Sequence, residues 1–411
     1  MAPKLQPRCR FSIRLASESE ETVEIKFGLI SADSHIVLDK DAFSRNMSKT
    51  KWGDLIPQVR ETEGRDGKKV HRWFVHDAPA GGWGVANCPA AMDSPNPELK
   101  IFPQRWEEVP PKVYDPLERL EALDDDGIDA EILFPNDPAR GQFFAFGEEF
   151  ELACVQAHND ATGEWRAASD RYAPLLILPY LSPIETIVAE VERGARMGHR
   201  GITVLGEPSH TVKQGVKHFN DPFWYPLWEA AQELEMPIHF HESANAGLVS
   251  VPHWDGYSPN AFHTVMTSPT AAMVAQLIPN LVFSHILDRF PQLKWVCAEA
   301  GLAWINYVCE GCDHEWEQRH LWTEGFTTRP SELVHRQVYM NFWYEKSGIE
   351  LRHTIGLDHI MWESDYPHTT STYPKSWDYV EKTLAGVPDE ERRPMLYENA
   401  MRVYRLDGAR Q

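Results

Sequence analysis

The segment HIMWESDYPH, His359–His368, begins as an apolar run and ends in an acid, an aromatic ring, a proline and a histidine. A chain that leaves a buried strand with Asp365 and His368 side by side is either turning into solvent or holding a carboxylate at the rim of a barrel. The choice depends on how many comparable runs precede it. Working back toward the N-terminus, they are QVYMNFWYE (337–345), LKWVCAEAG (293–301), MPIHFHES (236–243), RGITVLGEP (200–208), APLLILPYL (173–181), DAEILFPN (129–136) and IKFGLISADSH, ending at His35. With the final segment they give eight candidate strands, each short and rich in β-branched or aromatic residues.

Helical patterns fill the gaps. DPLERLEALDDDG carries apolar residues at helical spacing and stops at Gly127, SPIETIVAEVERGARMG opens on Ser-Pro and stops at Gly198, and DPFWYPLWEAAQELE leads into the fifth strand. Strand and helix alternating this often predict a parallel sheet, and eight repeats predict closure into an α/β (β/α)8 TIM barrel spanning residues 1–411 as one unit. Residues 38–111 break the repeat. They are rich in Gly, Pro, Trp and charge, as in DAPAGGWGVANCPAAMDSPNP, and read as a long insertion after strand one, either a lid folded over the barrel mouth or a mobile surface excursion with no role.

Composition narrows the function. The chain has 411 residues and a formal net charge of −21, which argues against a nucleic-acid partner, since phosphate binding needs a basic face. Its 42% hydrophobic content supports a large core, and its 15 tryptophans exceed what core packing needs, so pocket walls or an oligomer interface are expected. The 6 cysteines are too few for a disulfide scaffold of this size. Cys309 and Cys312 form a C-x-x-C within a helical stretch and have no second pair, so they read as structural. No apolar leader and no membrane-length apolar run is present, so a cytoplasmic protein with no membrane partner is expected.

Catalytic groups of such barrels sit at the C-terminal ends of the strands. Those ends offer Asp33, His35, Glu207, His239, His241, Glu299, Asp365 and His368. Imidazoles and carboxylates are the donors a divalent metal takes. Asp33 and His35 are two apart and share a strand face, so both can reach one ion. His241 lies nearer its strand end than His239, which reads as a core residue. Metal ligation is therefore expected from Asp33, His35, His241 and Asp365. Glu299 is expected as a further ligand, a bridge to a second ion or an acid/base group, His368 as a substrate contact or a residue that orients its loop, and Glu207 as a weaker candidate for the same shell. Arg60, Arg65, Arg72 and Arg105 of the insertion are candidates to pair with a substrate carboxylate.

Several separated motifs, ISADSHIV, YDPLERLEALDDDGIDAEILFP, ACVQAHND, FSHILDRFPQLKWVCAEAGLAWI, MWESDYPHTT and YENAMRVYRL, together resemble the amidohydrolase-related metal-dependent TIM barrels. The branch is the one containing aminocarboxymuconate semialdehyde decarboxylase and the resorcylate-type decarboxylases. The resemblance implies a first-strand metal pair at Asp33 and His35, a fifth-strand ligand at His241, and an eighth-strand aspartate, Asp365, that binds metal and handles a proton. The decarboxylases carry histidine at the end of strand six, where this chain has Glu299. His285, in the helical segment before that strand, reads as structural.

The expected activity is metal-dependent hydrolysis or nonoxidative decarboxylation of a small organic acid or amide, with Asp365 and Glu299 as catalytic carboxyls. Zinc is the first expectation for the ion, iron or manganese the next, as one ion or two. Two alternatives accompany this reading: a dinuclear iron or manganese oxygenase on the same barrel, and a non-catalytic barrel serving as partner subunit of an active paralogue. A homo-oligomer is expected. Substrate specificity is assigned to the insertion and to the loop SANAGLVSVPHWDGYSPNAFH (243–263).

Overall fold

Each of the eight apolar runs becomes a strand. The computed structural model describes residues 22–407 apart from 65–66, 81–83, 93–101, 137, 139–142, 213 and 242–253. In chain order the strands are β1 (Ile30–Ile36), β2 (Gln58–Glu63), β3 (Lys69–Val75), β4 (Ala78–Ala80), β5 (Ala130–Pro135), β6 (Tyr172–Leu176), β7 (Gly201–Thr203), β8 (Ile238–Phe240), β9 (Trp295–Cys297), β10 (Val338–Phe342) and β11 (Ile360–Trp362). β1 and β5–β11 form one parallel sheet in sequence order. Its two outer strands meet just past their ends. Asp365 N–H donates to the Asp33 carbonyl at 3.0 Å and His35 N–H to the Tyr366 carbonyl at 2.7 Å. A hydroxyl cluster fastens the same seam, with Ser364 N–H on Ser31 Oγ at 2.9 Å and Ser34 Oγ on Ser31 Oγ at 3.0 Å. The barrel therefore closes where two of the expected metal ligands sit.

Helices cover the outside, among them Pro116–Asp126, Glu148–Ala168, Ile184–Arg196, Tyr225–Glu233 and Trp304–Gln318. The first is started by Asp115, whose carboxylate accepts from Leu117 N–H at 2.8 Å, and stopped by Gly127 at φ +70°. A Cβ on Gly127 would lie 2.9 Å from Trp377 Nε1, so both backbone and packing require glycine there.

Strand alternation separates two cores. Ile30, Ala32, Ala130, Ile132, Phe134, Ala173, Leu175, Val296, Ala298 and Met361 fill the barrel interior, and Tyr404 joins them from the C-terminal helix Asn399–Tyr404. Their neighbours Leu133, Tyr172, Leu176, Ile238, Phe240, Trp295, Cys297, Ile360 and Trp362 pack outward against the helices. The phase changes once within a strand. Ile30 and Ala32 face inward, but the pairing of β1 with β5 is irregular between Ser31 and Ser34, and beyond it Ile36 belongs to the outer core. That irregularity turns His35 toward the interior, where unbroken alternation would have placed Ser34.

The insertion has its own architecture. β2, β3 and β4 form an antiparallel sheet packed over Trp73, Val75, Ala80, Val85 and Trp106. It reaches the barrel's closing seam through Ala90 N–H, which donates to the Pro367 carbonyl at 3.0 Å. The sheet was not anticipated from sequence, because the glycine- and proline-rich stretches around KVHRWFV, 69–75, gave the segment the composition of a loop.

Candidate metal centre

Continuing the inward phase of each strand past its end identifies the groups at the mouth. His241 continues the inward face of His239 in β8, Glu363 and Asp365 that of Met361 in β11, and Asn136 that of Phe134 in β5. Glu299 follows Ala298 out of phase, and it adopts φ +52°, a left-handed backbone unusual for a residue with a Cβ. Asp365 is likewise at φ +55°. Two site carboxylates thus sit on backbone that costs free energy and that their surroundings enforce.

The side chains converge. Donor atoms of Asp33, His35, His241 and Glu299 all lie within 4.8 Å of one another, and so do those of His35, Glu299, Asp365 and His368. His35 Nε2 is 3.4 Å from Asp33 Oδ1 and 3.4 Å from Asp365 Oδ1. His241 Nε2 is 3.5 Å from Asp33 Oδ2, 3.2 Å from Glu299 Oε2 and 3.2 Å from His35 Nε2. All six residues are buried. Three carboxylates and three imidazoles drawn this close, out of water, form the donor set that a divalent cation satisfies. The tautomer of His35 agrees with that use. Its Nδ1 lies 3.4 Å from the Pro135 carbonyl, and in the neutral ring a proton on that nitrogen leaves the Nε2 lone pair facing the cluster.

Burial pushes the Asp365 carboxyl upward, but His368 and His35 in their protonated forms, through charge and hydrogen bonds, outweigh it and hold the group well below the usual carboxylate range. Thr370 Oγ1 donates to its other oxygen. Behind the cluster lies Glu363, fully buried, whose Oε2 accepts from Glu299 N–H at 3.2 Å and so fixes the unusual backbone there. Burial drives the Glu363 carboxyl well above its ordinary range.

The remaining expected residues lie elsewhere. Glu207 caps the turn Pro208–Thr211, accepting from Ser209 N–H at 3.1 Å and from Phe219 N–H at 3.3 Å, and pairs with His218 at 2.9 Å. It belongs to neither convergent set. Arg60 and Arg72 face each other in the β2–β3 register, and Arg72 donates to Gln104 Oε1 at 2.6 Å. Arg60 donates to the Asp54 carbonyl, and Arg105 lies 3.4 Å from Glu107. These three arginines are engaged within the insertion; Arg65 lies outside the described residues, as does most of the loop 243–263. His239 is a core residue as expected, bonded to the Ile202 carbonyl at 3.1 Å and Tyr404 Oη at 2.9 Å. His285 stacks on Phe326 at 4.1 Å. Cys309 and Cys312 are buried free thiols, pushed up by burial to about 12 and about 11.

Glu363 and Asn136 were missed, although strand parity alone would have found both. Each continues the inward face of its strand toward the mouth.

The model of the amidohydrolase family matches residues 69–406. The chain is 24% identical over 317 residues to the gamma-resorcylate decarboxylase of Rhizobium sp. (strain MTP-10005), covering 74% of this chain and 91% of that one. Among solved structures it is similar to an amidohydrolase, map2389c, from Mycobacterium avium subsp. paratuberculosis K-10. There the TM-score is 0.71 at 19% identity, with 92% of this chain and 98% of that one covered. It is also similar to a dihydroxybenzoic acid decarboxylase from Polaromonas sp. JS666, solved with bound manganese. That match has a TM-score of 0.55 at 21% identity, covering 74% and 90%.

Proposed function

The chain belongs to the amidohydrolase family, and from that membership we propose a metal-dependent nonoxidative decarboxylase acting on a small, hydroxylated aromatic acid. The observation that carries the reading is the convergence of Asp33, His35, His241, Glu299 and Asp365 at the barrel mouth of a chain whose relatives decarboxylate dihydroxybenzoates. Asp33, His35, His241 and Asp365 would hold the ion, with Glu299 beside them. The ion would act as a Lewis acid toward a substrate oxygen. Zinc suits the mixed imidazole–carboxylate donor set, and manganese is the ion bound by the Polaromonas relative.

In the overall reaction the bond between ring carbon and carboxylate breaks, CO2 leaves, and the carbon takes one proton. One carboxyl of this chain is placed to hold or deliver that proton, Glu299 at Oε2, while Asp365, held below the usual carboxylate range, stays a carboxylate toward the ion. The buried walls exclude water from competing for it. Residues 38–111 act as a lid, supported by the contact between Ala90 and Pro367 beside Asp365.

The test is to load purified protein with zinc or manganese and incubate it with a panel of mono- and dihydroxybenzoates, with and without oxygen. Stoichiometric CO2 and the matching phenol, independent of oxygen and lost on chelation, are expected. Oxygen uptake with product hydroxylation would overturn the reading in favour of an oxygenase. Glu299, standing where the resembled decarboxylases carry histidine, favours one second reading, hydrolysis of an amide or ester. Metal-dependent hydrolysis with no CO2 from any acid would establish that reading instead.

A further inference from the structure

His368 is drawn into one of the two convergent sets with His35, Glu299 and Asp365, and so could pass for a ligand. Its surroundings give it a different task. Its Nδ1 lies 2.9 Å from Asp365 Oδ1, and its backbone N–H donates to the Asp365 carbonyl at 2.9 Å. The same residue therefore grips Asp365 by main chain and side chain. On the far side of the ring, Asn136 Nδ2 lies 3.1 Å from His368 Nε2. The ring stacks on His35 at 3.8 Å with 26° between planes. His368 is 5% exposed and Asn136 4%, so water does not supply these partners.

A neutral imidazole has one donor nitrogen and one acceptor. An Asn136 amide N–H on Nε2 makes that nitrogen the acceptor, so the proton sits on Nδ1 and points at the carboxylate. The neighbouring residue on β5 acts on the opposite nitrogen of His35: a proton on Nδ1 faces the Pro135 carbonyl, which leaves Nε2 toward the cluster. Two consecutive residues at the end of β5 thus hold two stacked imidazoles in the same Nδ1–H tautomer with different nitrogens toward the cluster, His35 presenting the Nε2 lone pair and His368 the Nδ1 hydrogen-bond donor.

The geometry assigns His368 as a positioning residue rather than a ligand: it orients Asp365 by hydrogen bond, and Asn136 fixes its tautomer. The role rests on the proposed metal centre, which it deepens. An outer hydrogen bond of this kind raises a ligand's precision, and its loss costs about 10–100-fold in metal affinity or turnover.

The test uses the full-length protein and four variants, reading Mn2+ affinity by chelator competition and, separately, kcat and KM for CO2 release. His368→Ala should weaken Mn2+ binding or kcat about 10–100-fold with KM unchanged. His368→Asn places an amide nitrogen where Nδ1 sits and should recover most of the loss, whereas His368→Gln, with its amide nearer the Nε2 position, should not. Asn136→Asp presents an acceptor to Nε2, reverses the tautomer and should resemble His368→Ala. Loss of all bound metal in His368→Ala would make it a ligand and overturn the assignment, and so would His368→Asn behaving as badly as His368→Ala. The affinity series needs no substrate. If wild-type protein releases no CO2 while the affinity series behaves as stated, the decarboxylase reading fails and the assignment stands.

Discussion

Glu131 and the carboxylates of the barrel mouth are all buried, yet they are neutralised differently. Glu131 receives a two-pronged guanidinium, Arg119 Nε on Oε2 at 3.0 Å and Nη2 on Oε1 at 2.9 Å, with both side chains essentially inaccessible. Arg119 also stacks over Tyr366 at 4.1 Å and directs weaker contacts of 3.4 Å to the carbonyls of His35 and Tyr366. Asp33, Glu299 and Asp365 instead meet imidazoles at 2.9–3.5 Å. A guanidinium is permanently charged and closes the account of its carboxylate, so that pair is structural. An imidazole balances a carboxylate only when protonated, and it ligates a metal only when neutral. The first arrangement braces the seam from outside the barrel, and the second leaves room for an external cation inside it.

The largest effect that would sharpen this contrast is His241→Ala. It should abolish metal binding and turnover while leaving the circular dichroism spectrum intact, checked by elemental analysis of the purified variant. Arg119→Ala should do the opposite. It leaves Glu131 buried without its partner and should cost about 3–5 kcal/mol in urea unfolding, with metal stoichiometry kept. The double change Arg119→Met with Glu131→Leu should recover most of that stability, because removing both charges also removes the desolvation cost.

Glu151 supplies a third way to bury a carboxylate. Its oxygens accept from Tyr180 N–H at 3.0 Å and Leu181 N–H at 2.8 Å. Burial still pushes its pKa up to about 7. A carboxyl raised in the folded state stabilises below its unfolded pKa and loses that contribution as pH climbs through the folded value. Stability should therefore fall between pH 4.5 and about 7 by up to about 3 kcal/mol from this group. Denaturation midpoints of Glu151→Gln across that window should show a flatter profile than wild type. The smallest effect concerns the layer of the barrel just beneath the mouth. Burial pulls His239 down to about 3, so it is neutral and fully engaged. His239→Phe should cost about 1–3 kcal/mol by stranding the Tyr404 hydroxyl, with bound metal unchanged. Loss of metal in that variant would break the distinction between the two layers.

Much of this was readable from sequence because barrel strands keep their phase. His241 and Asp365 follow from alternation along β8 and β11, and His239, two residues deeper, follows as core for the same reason. Asn136 and Glu363 obey the identical rule and were passed over because a single asparagine or glutamate at a strand end carries no metal signature by itself. What alternation cannot yield is a break in it. His35 depends on the irregularity in β1, and Glu299 on a left-handed residue after Ala298; neither leaves a mark such as glycine in the sequence. The local role of Glu207 was passed over for a third reason. A strand-end glutamate followed by Pro-Ser is as well suited to capping a turn, and the local N–H groups of Ser209 and Phe219 claimed it. The insertion's sheet escaped notice because antiparallel pairing there depends on partners within a segment whose composition reads as loop.

The central claim is tested most directly by chelation and reconstitution of the purified protein, following bound metal and CO2 release from a hydroxybenzoate in the same samples. The account predicts about one or two divalent ions per chain, parallel loss of metal and activity on chelation, and recovery of both when zinc or manganese is restored. Full CO2 release from protein stripped of metal would contradict it.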